Sequence, residues 1–185
     1  MLSIYLAAAY ITSCDKDTKP DDTLKETNVI HSAVDDTAAN FVKDSKFLVA
    51  AAEINIEDIN MGQLAQSNGR MSNVKDLGEK MANLHTKCLT EIKKLALKKQ
   101  IPLPTCASNE ARSDYSNLYN KSGSDFDEFY CGLMVNGHKG AIILFERASY
   151  ACSDPEIKAF AKATLPVLKE HLNHACLCQR QIQSL

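Results

Sequence analysis

The sequence has no tryptophan, and aromatic residues make up only 6% of its 185 positions. That removes the stacking platform used by many single-strand nucleic-acid binders. A basic surplus is also missing: 21 Lys and Arg stand against 23 Asp and Glu, a net charge of -2. Sequence-independent binding to nucleic acid needs such a surplus, so no nucleic-acid partner is expected. Seven Gly and five Pro are few for this length, which excludes loop-rich and collagen-like folds. No Gly-x-Ser-x-Gly, His-Glu-x-x-His or phosphate-binding glycine loop occurs. No catalytic residue is therefore assigned. Long period-two alternation is absent as well, so strands are not expected.

What is present is apolar content of 45%, enough for one core, and seven cysteines, an odd number. The first 13 residues carry no charge, and at Cys14 the composition turns to Asp15-Lys16-Asp17. An apolar stretch this short does not span a bilayer, which takes about 20 residues. It suits the apolar region of a signal peptide. Ile11-Thr12-Ser13-Cys14 resembles the lipobox of bacterial lipoproteins, although no Lys or Arg precedes Cys14. The resemblance implies that residues 1–13 are removed and Cys14 is lipidated. The chain would then be anchored by lipid in the bacterial envelope, at the periplasmic or outer-membrane side. Residues 14–33 are polar, contain Pro20 and read as a flexible tether, with a reach of roughly 25 Å.

From Val34 onward apolar residues recur at steps of three and four, which predicts helices. The first carries Val34, Ala38, Phe41, Ser45, Leu48, Ala52, Asn55, Ile59 and Gly62, and Gly69 suits a left-handed C-cap. The second starts near Ser72, follows Val74, Leu77, Met81, Leu84 with His85, Cys88, Ile92 and Leu95, and stops at Ile101-Pro102-Leu103-Pro104. A long connection contains a short helix over 109–120, with Ala111, Tyr115, Leu118 and Tyr119 inward. The third long helix opens on a capping-box pattern, Ser124 with Asp127, and runs through Phe126, Tyr130, Met134, His138, Ala141, Phe145 and Ala148. The fourth opens at Asp154-Pro155 and follows Ile157, Phe160, Thr164, Leu168, His171, Ala175 and Cys178, with Pro166 expected to kink it. Four such helices over residues 34–185 close most simply into an all-α four-helix bundle.

The runs carry a family resemblance. Asn73-Val-Lys-Asp-Leu-Gly-Glu-Lys-Met-Ala-Asn-Leu-His, Ser122-Gly-Ser-Asp-Phe-Asp-Glu-Phe-Tyr with Met134-Val-Asn-Gly-His, and Thr164-Leu-Pro-Val-Leu-Lys-Glu-His-Leu resemble the bacterial domain of unknown function four-one-four-two. Ala51-Ala-Glu and Gly62-Gln-Leu-Ala fit its first helix. Members are labelled outer-membrane or secreted proteins. The resemblance implies a ferritin-like bundle, with the long connection between the second and third long helices crossing it. It implies no established activity.

His85, His138 and His171 lie one each on the last three long helices, and Glu53 lies on the first. Counted from the turns, all four fall near mid-bundle. An up-and-down topology would put them in one layer, whereas a crossover would shift His171 by about two turns. Such a set could hold a transition metal, Zn, Fe or Cu. The alternative is a polar core in which the histidines bond to Asn55, Tyr130, Thr164 or Glu146. The di-iron pattern of a Glu three residues before a His is absent, since Ala82 and Leu168 occupy those places. With Cys14 taken by lipid, Cys88, Cys106, Cys131, Cys152, Cys176 and Cys178 remain. Fifteen pairings of six are open in an oxidising compartment. A soft site at Cys176, Cys178 and His174 is a further candidate. The function expected is a non-catalytic envelope module that binds a protein partner or ligand. The alternative is a metal-binding or redox protein using the mid-bundle histidines.

Overall fold

The computed structural model describes residues 23–184, with side chains from Asp36. Five helices follow in order: α1 (Thr23–Asn68), α2 (Ser72–Lys98), α3 (Asn109–Tyr119), α4 (Gly123–Ala151) and α5 (Pro155–Gln183). No strand occurs among the described residues, so the all-α expectation holds. Residues 1–22, with the expected signal segment and Cys14, lie outside the described residues. Helix α1 starts at Thr23, so residues 23–33 are helical where a flexible tether was expected. The reason is the absence of breakers: no Gly or Pro falls between Pro20 and Gly62. The chain divides at Asp36 into a short first unit and a compact second unit from Thr37. Both core clusters lie within the second. None of the described helices is long and apolar enough to cross a membrane.

Two buried carboxylates fix the direction of the helices. Asp127, near the start of α4, accepts bonds from the backbone N–H groups of Arg70 (2.8 Å) and Met71 (3.0 Å) in the α1–α2 turn. Asp44 on α1 accepts from the N–H groups of Ser153 and Asp154 in the α4–α5 turn, both at 2.8 Å. Lys99, just past α2, pairs with Asp154 and Glu156 at that second end. Helix α4 therefore starts where α2 starts, and residues 99–122, with α3, carry the chain back along the bundle. The crossover alternative is the one observed. Asp127 is not a capping-box residue, because the α4 N-cap is Ser122 and makes no side-chain cap bond. Gly69 is not left-handed; among the described residues only Gly123 and Gln100 have positive φ. Gly69 is needed for closeness instead, since a Cβ there would meet the Ala65 carbonyl oxygen at 2.7 Å.

The seven α4 positions expected to face inward are all buried, and Ala111 and Leu118 of α3 are too. Tyr115 and Tyr119 are exposed, contrary to expectation, and stack on each other. On α1 Leu48, Ala52, Asn55 and Gly62 are buried as expected, but the buried face is broader and starts later than expected. Phe41 is 49% exposed, whereas Asp44, Phe47, Ala51, Asp58 and Met61 face the core. Pro166 is accommodated at an exposed position within α5, which continues to Gln183. The apolar interior forms two clusters, each fed by all four long helices. One includes Phe47, Ile92, Phe145 and Ile157; the other includes Met61, Met81, Tyr130 and Ala175. Between them lies a polar layer of Asn55, Asp58, His85, His138 and His171, all buried.

Candidate metal centre

Helix α2 brings His85 into this layer, α4 brings His138 and α5 brings His171. Their exposures are only 2%, 1% and 3%. Each ring offers a nitrogen, and the three nitrogens lie within 4.8 Å of one another. The rings meet edge-on, with centroids 5.1 to 5.4 Å apart. The crossover does not stagger them, contrary to the expected two-turn shift. Helices α4 and α5 are antiparallel and equal in length, 29 residues each. His138 is 15 residues from the start of α4, and His171 is 12 from the end of α5 at the same end of the bundle.

The hydrogen bonds decide which nitrogen of each ring is free. His138 Nδ1 is 2.8 Å from the Met134 carbonyl oxygen, which only accepts, so Nδ1 carries the proton. His85 Nδ1 is 2.9 Å from Asn55 Oδ1. The Asn55 amide is oriented by its own donation to the Ala51 carbonyl at 2.7 Å. Its oxygen therefore faces His85, and His85 Nδ1 donates. In the neutral rings both Nε2 atoms then carry lone pairs, yet they face each other at 3.3 Å. Asp58 Oδ2, a third acceptor, lies 3.3 Å from His85 Nε2. Both ring nitrogens of His171 are buried with no hydrogen-bond partner among the described residues.

Converging acceptors call for a cation between them. A proton on His85 would serve Asp58 and His138. Burial opposes it, outweighing the attraction of Asp58 and holding the His85 pKa below its ordinary value. His171 is pushed down to about 3, first by burial and then by the neighbouring imidazoles. Neutral imidazoles are the metal-binding form. Tetrahedral ligands about 2.0–2.1 Å from a metal stand about 3.3–3.4 Å apart, which matches both 3.3 Å spacings.

The family is now decided by comparison. The family described as a domain of unknown function, DUF4142, matches residues 31–176. The chain belongs to DUF4142. A crystal structure of a DUF305 fragment from Deinococcus radiodurans is similar in fold, with a TM-score of 0.65 at 12% identity. The match covers 77% of this chain and 97% of that one. No curated protein sequence matches.

In this DUF4142 domain Glu53 does not join the histidines. It is half-buried, and the carboxylate that reaches an imidazole is Asp58. At 100° per residue Glu53 lies far round the helix from Asn55, whereas Asp58 shares the face of Asn55. That i, i+3 relation to a core asparagine was the signal available in the sequence. Asn55 does bond a histidine, as the polar-core alternative anticipated. Thr164 instead bonds the Phe160 carbonyl, and Glu146 pairs with Lys169 outside. The soft site is not assembled either: His174 contacts Lys80 and Glu170, while the Cys178 sulfur faces Cys131.

Proposed function

We propose that this domain is a non-catalytic metal-binding module of the bacterial envelope. It holds one divalent first-row transition ion through His85, His138 and His171, with Asp58 completing the set. The observation that carries this reading is that the three imidazole nitrogens lie within 4.8 Å of one another, with His138 Nε2 and Asp58 Oδ2 each 3.3 Å from His85 Nε2 and no donor at these contacts. His171, buried and unpartnered, supplies the remaining nitrogen. Three imidazoles and a carboxylate suit Zn, Cu or Fe. Four protein ligands leave no open position for a substrate, as in structural rather than catalytic sites. Anchorage by lipid on Cys14 belongs to the same proposal, supported by Ile11-Thr12-Ser13-Cys14.

The test is metal analysis of tag-free protein, with His85→Ala and His138→Ala beside it. About one ion per chain is expected in the wild type, with loss in both variants. Substoichiometric metal in wild type that refills to no more than that on addition of Zn, Cu or Fe salts would overturn the reading. Lipid analysis of membrane-extracted protein tests the anchor, which an unmodified Cys14 would remove.

A further inference from the structure

Two turns from the histidine layer, α4 and α5 make a second close contact, between two sulfurs. Cys131 Sγ and Cys178 Sγ are 3.1 Å apart, and both residues are buried. The register is the one that pairs His138 with His171: each cysteine is seven residues from the histidine on its own helix, about 10 Å along the axis. Among the described residues no other cysteine makes such a contact. Cys106 is exposed beside Arg112, and Cys88 and Cys152 are thiols that burial pushes up to about 11 and 12. Of the 15 pairings open in the sequence, the structure favours one contact.

We propose that Cys131 and Cys178 are a redox-active dithiol that closes to a disulfide joining α4 to α5. Helix pairing already brings the sulfurs within about 1 Å of the S–S bond length of about 2.05 Å, so closure requires a small side-chain rotation. Cys178 lines a groove between α2 and α5, beside Leu77, Lys80 and His174, and this is the path of attack. The Cys131 thiol donates to the Cys178 sulfur and favours its thiolate. Cys178 is the attacking sulfur and Cys131 the resolving one.

The oxidant is an external disulfide, RSSR. The Cys178 thiol gives its proton to solvent, and its thiolate attacks one sulfur of RSSR. A mixed disulfide forms and one RS⁻ leaves. The Cys131 sulfur then attacks Cys178 Sγ, and the second RS⁻ leaves and takes up the Cys131 proton. The pair loses two electrons and RSSR gains them, yielding two thiols once the first RS⁻ takes its proton from solvent.

The experiment uses the full chain, reduced and then exposed to oxidised glutathione. Free thiols are blocked in denaturant, and a non-reduced tryptic digest is analysed by mass spectrometry. A crosslink between the peptide holding Cys131 and the one holding Cys178 is expected. Cys176 shares the second peptide, so Cys176→Ser must keep the crosslink, while Cys178→Ser and Cys131→Ser must lose it, each checked for helicity by circular dichroism. Both cysteines alkylated after oxidation would overturn the proposal. So would a crosslink that survives in Cys178→Ser or is lost in a helical Cys176→Ser. The crosslink does not depend on the histidine site and should persist in His171→Leu, so failure of either proposal leaves the other testable.

Discussion

Gly62 and Gly78 press α1 and α2 into backbone contact. A Cβ on Gly62 would sit 2.6 Å from the Gly78 carbonyl oxygen, and a Cβ on Gly78 would sit 2.6 Å from that of Gly62. The atoms that would have to yield belong to backbone, so the helices must separate. Each glycine is seven residues from a layer residue on its own helix, Asn55 or His85, and the close approach sets the spacing at which those two bond.

Gly78→Ala should therefore destabilise the domain by about 1–3 kcal/mol, the ordinary cost of overpacking. It should also weaken metal binding by lengthening the Asn55–His85 contact. Urea unfolding of the metal-free protein measures the first effect and competitive chelator titration the second. An unchanged midpoint would show that the contact is less tight than described.

The carboxylate clamps at the two ends should act independently. Asp127→Ala and Asp44→Ala each strip partners from two backbone N–H groups. A cost of about 2–3 kcal/mol is expected for each. Because the sites are far apart, the double variant should lose the sum to within about 0.5 kcal/mol. A double variant no worse than either single would refute independence.

Asn55→Ala should lower metal affinity about 10–100-fold while leaving all four proposed ligands in place, because His85 loses the acceptor that orients its ring. Asp58→Asn should weaken binding further. If Asn55→Ala binds metal as tightly as wild type, His85 is not positioned through Asn55.

Metal-free protein should lose stability in acid through His171. His171 has a folded pKa of about 3 against 6.5 in the unfolded chain. Between these values the unfolded state binds the proton more readily, so stability is full above pH 6.5 and drains as pH falls toward 3. Glu57 acts oppositely. Burial first, then Asp58, raise its pKa from 4.5 to about 7, so its penalty grows as pH rises from 4.5 through 7. Melting temperature against pH should lose acid slope in His171→Leu. Glu57→Gln should gain stability above pH 7 and match wild type below pH 4.5. A His171→Leu profile parallel to wild type would refute the assignment.

The sequence made the helices legible because their stripes repeat without ambiguity, and on α4 every expected inward residue is buried. It misled on α1, where an apolar count selects Phe41 and passes over Asp44 and Asp58. Those acids face inward to meet backbone N–H groups and an imidazole from distant parts of the chain, and no local pattern records that. The three histidines could be named, but their common layer depends on how α4 and α5 are matched in length. The cysteine contact depends on the same register, so spacing left its pairing open.

The two clamps have a further consequence. Asp44 and Asp127 are 83 residues apart, and so are their partners, Arg70 with Ser153 and Met71 with Asp154. The contacts are reciprocal, as across a two-fold axis. The α1–α2 hairpin and the α4–α5 hairpin are thus two versions of one plan. The same offset pairs buried Val74 with Ile157 and Ala65 with Ala148. At the polar layer the likeness is partial: Asn55 falls opposite His138, both polar and buried, but His85 falls opposite Leu168 and Asp58 opposite Ala141. The α4–α5 hairpin packs into the same bundle with buried apolar residues at these two places. What departs from it, His85 and Asp58, is what the bundle does not need for its own sake. The counterpart residues Leu and Ala also name the substitutions that would empty the site while leaving the scaffold standing.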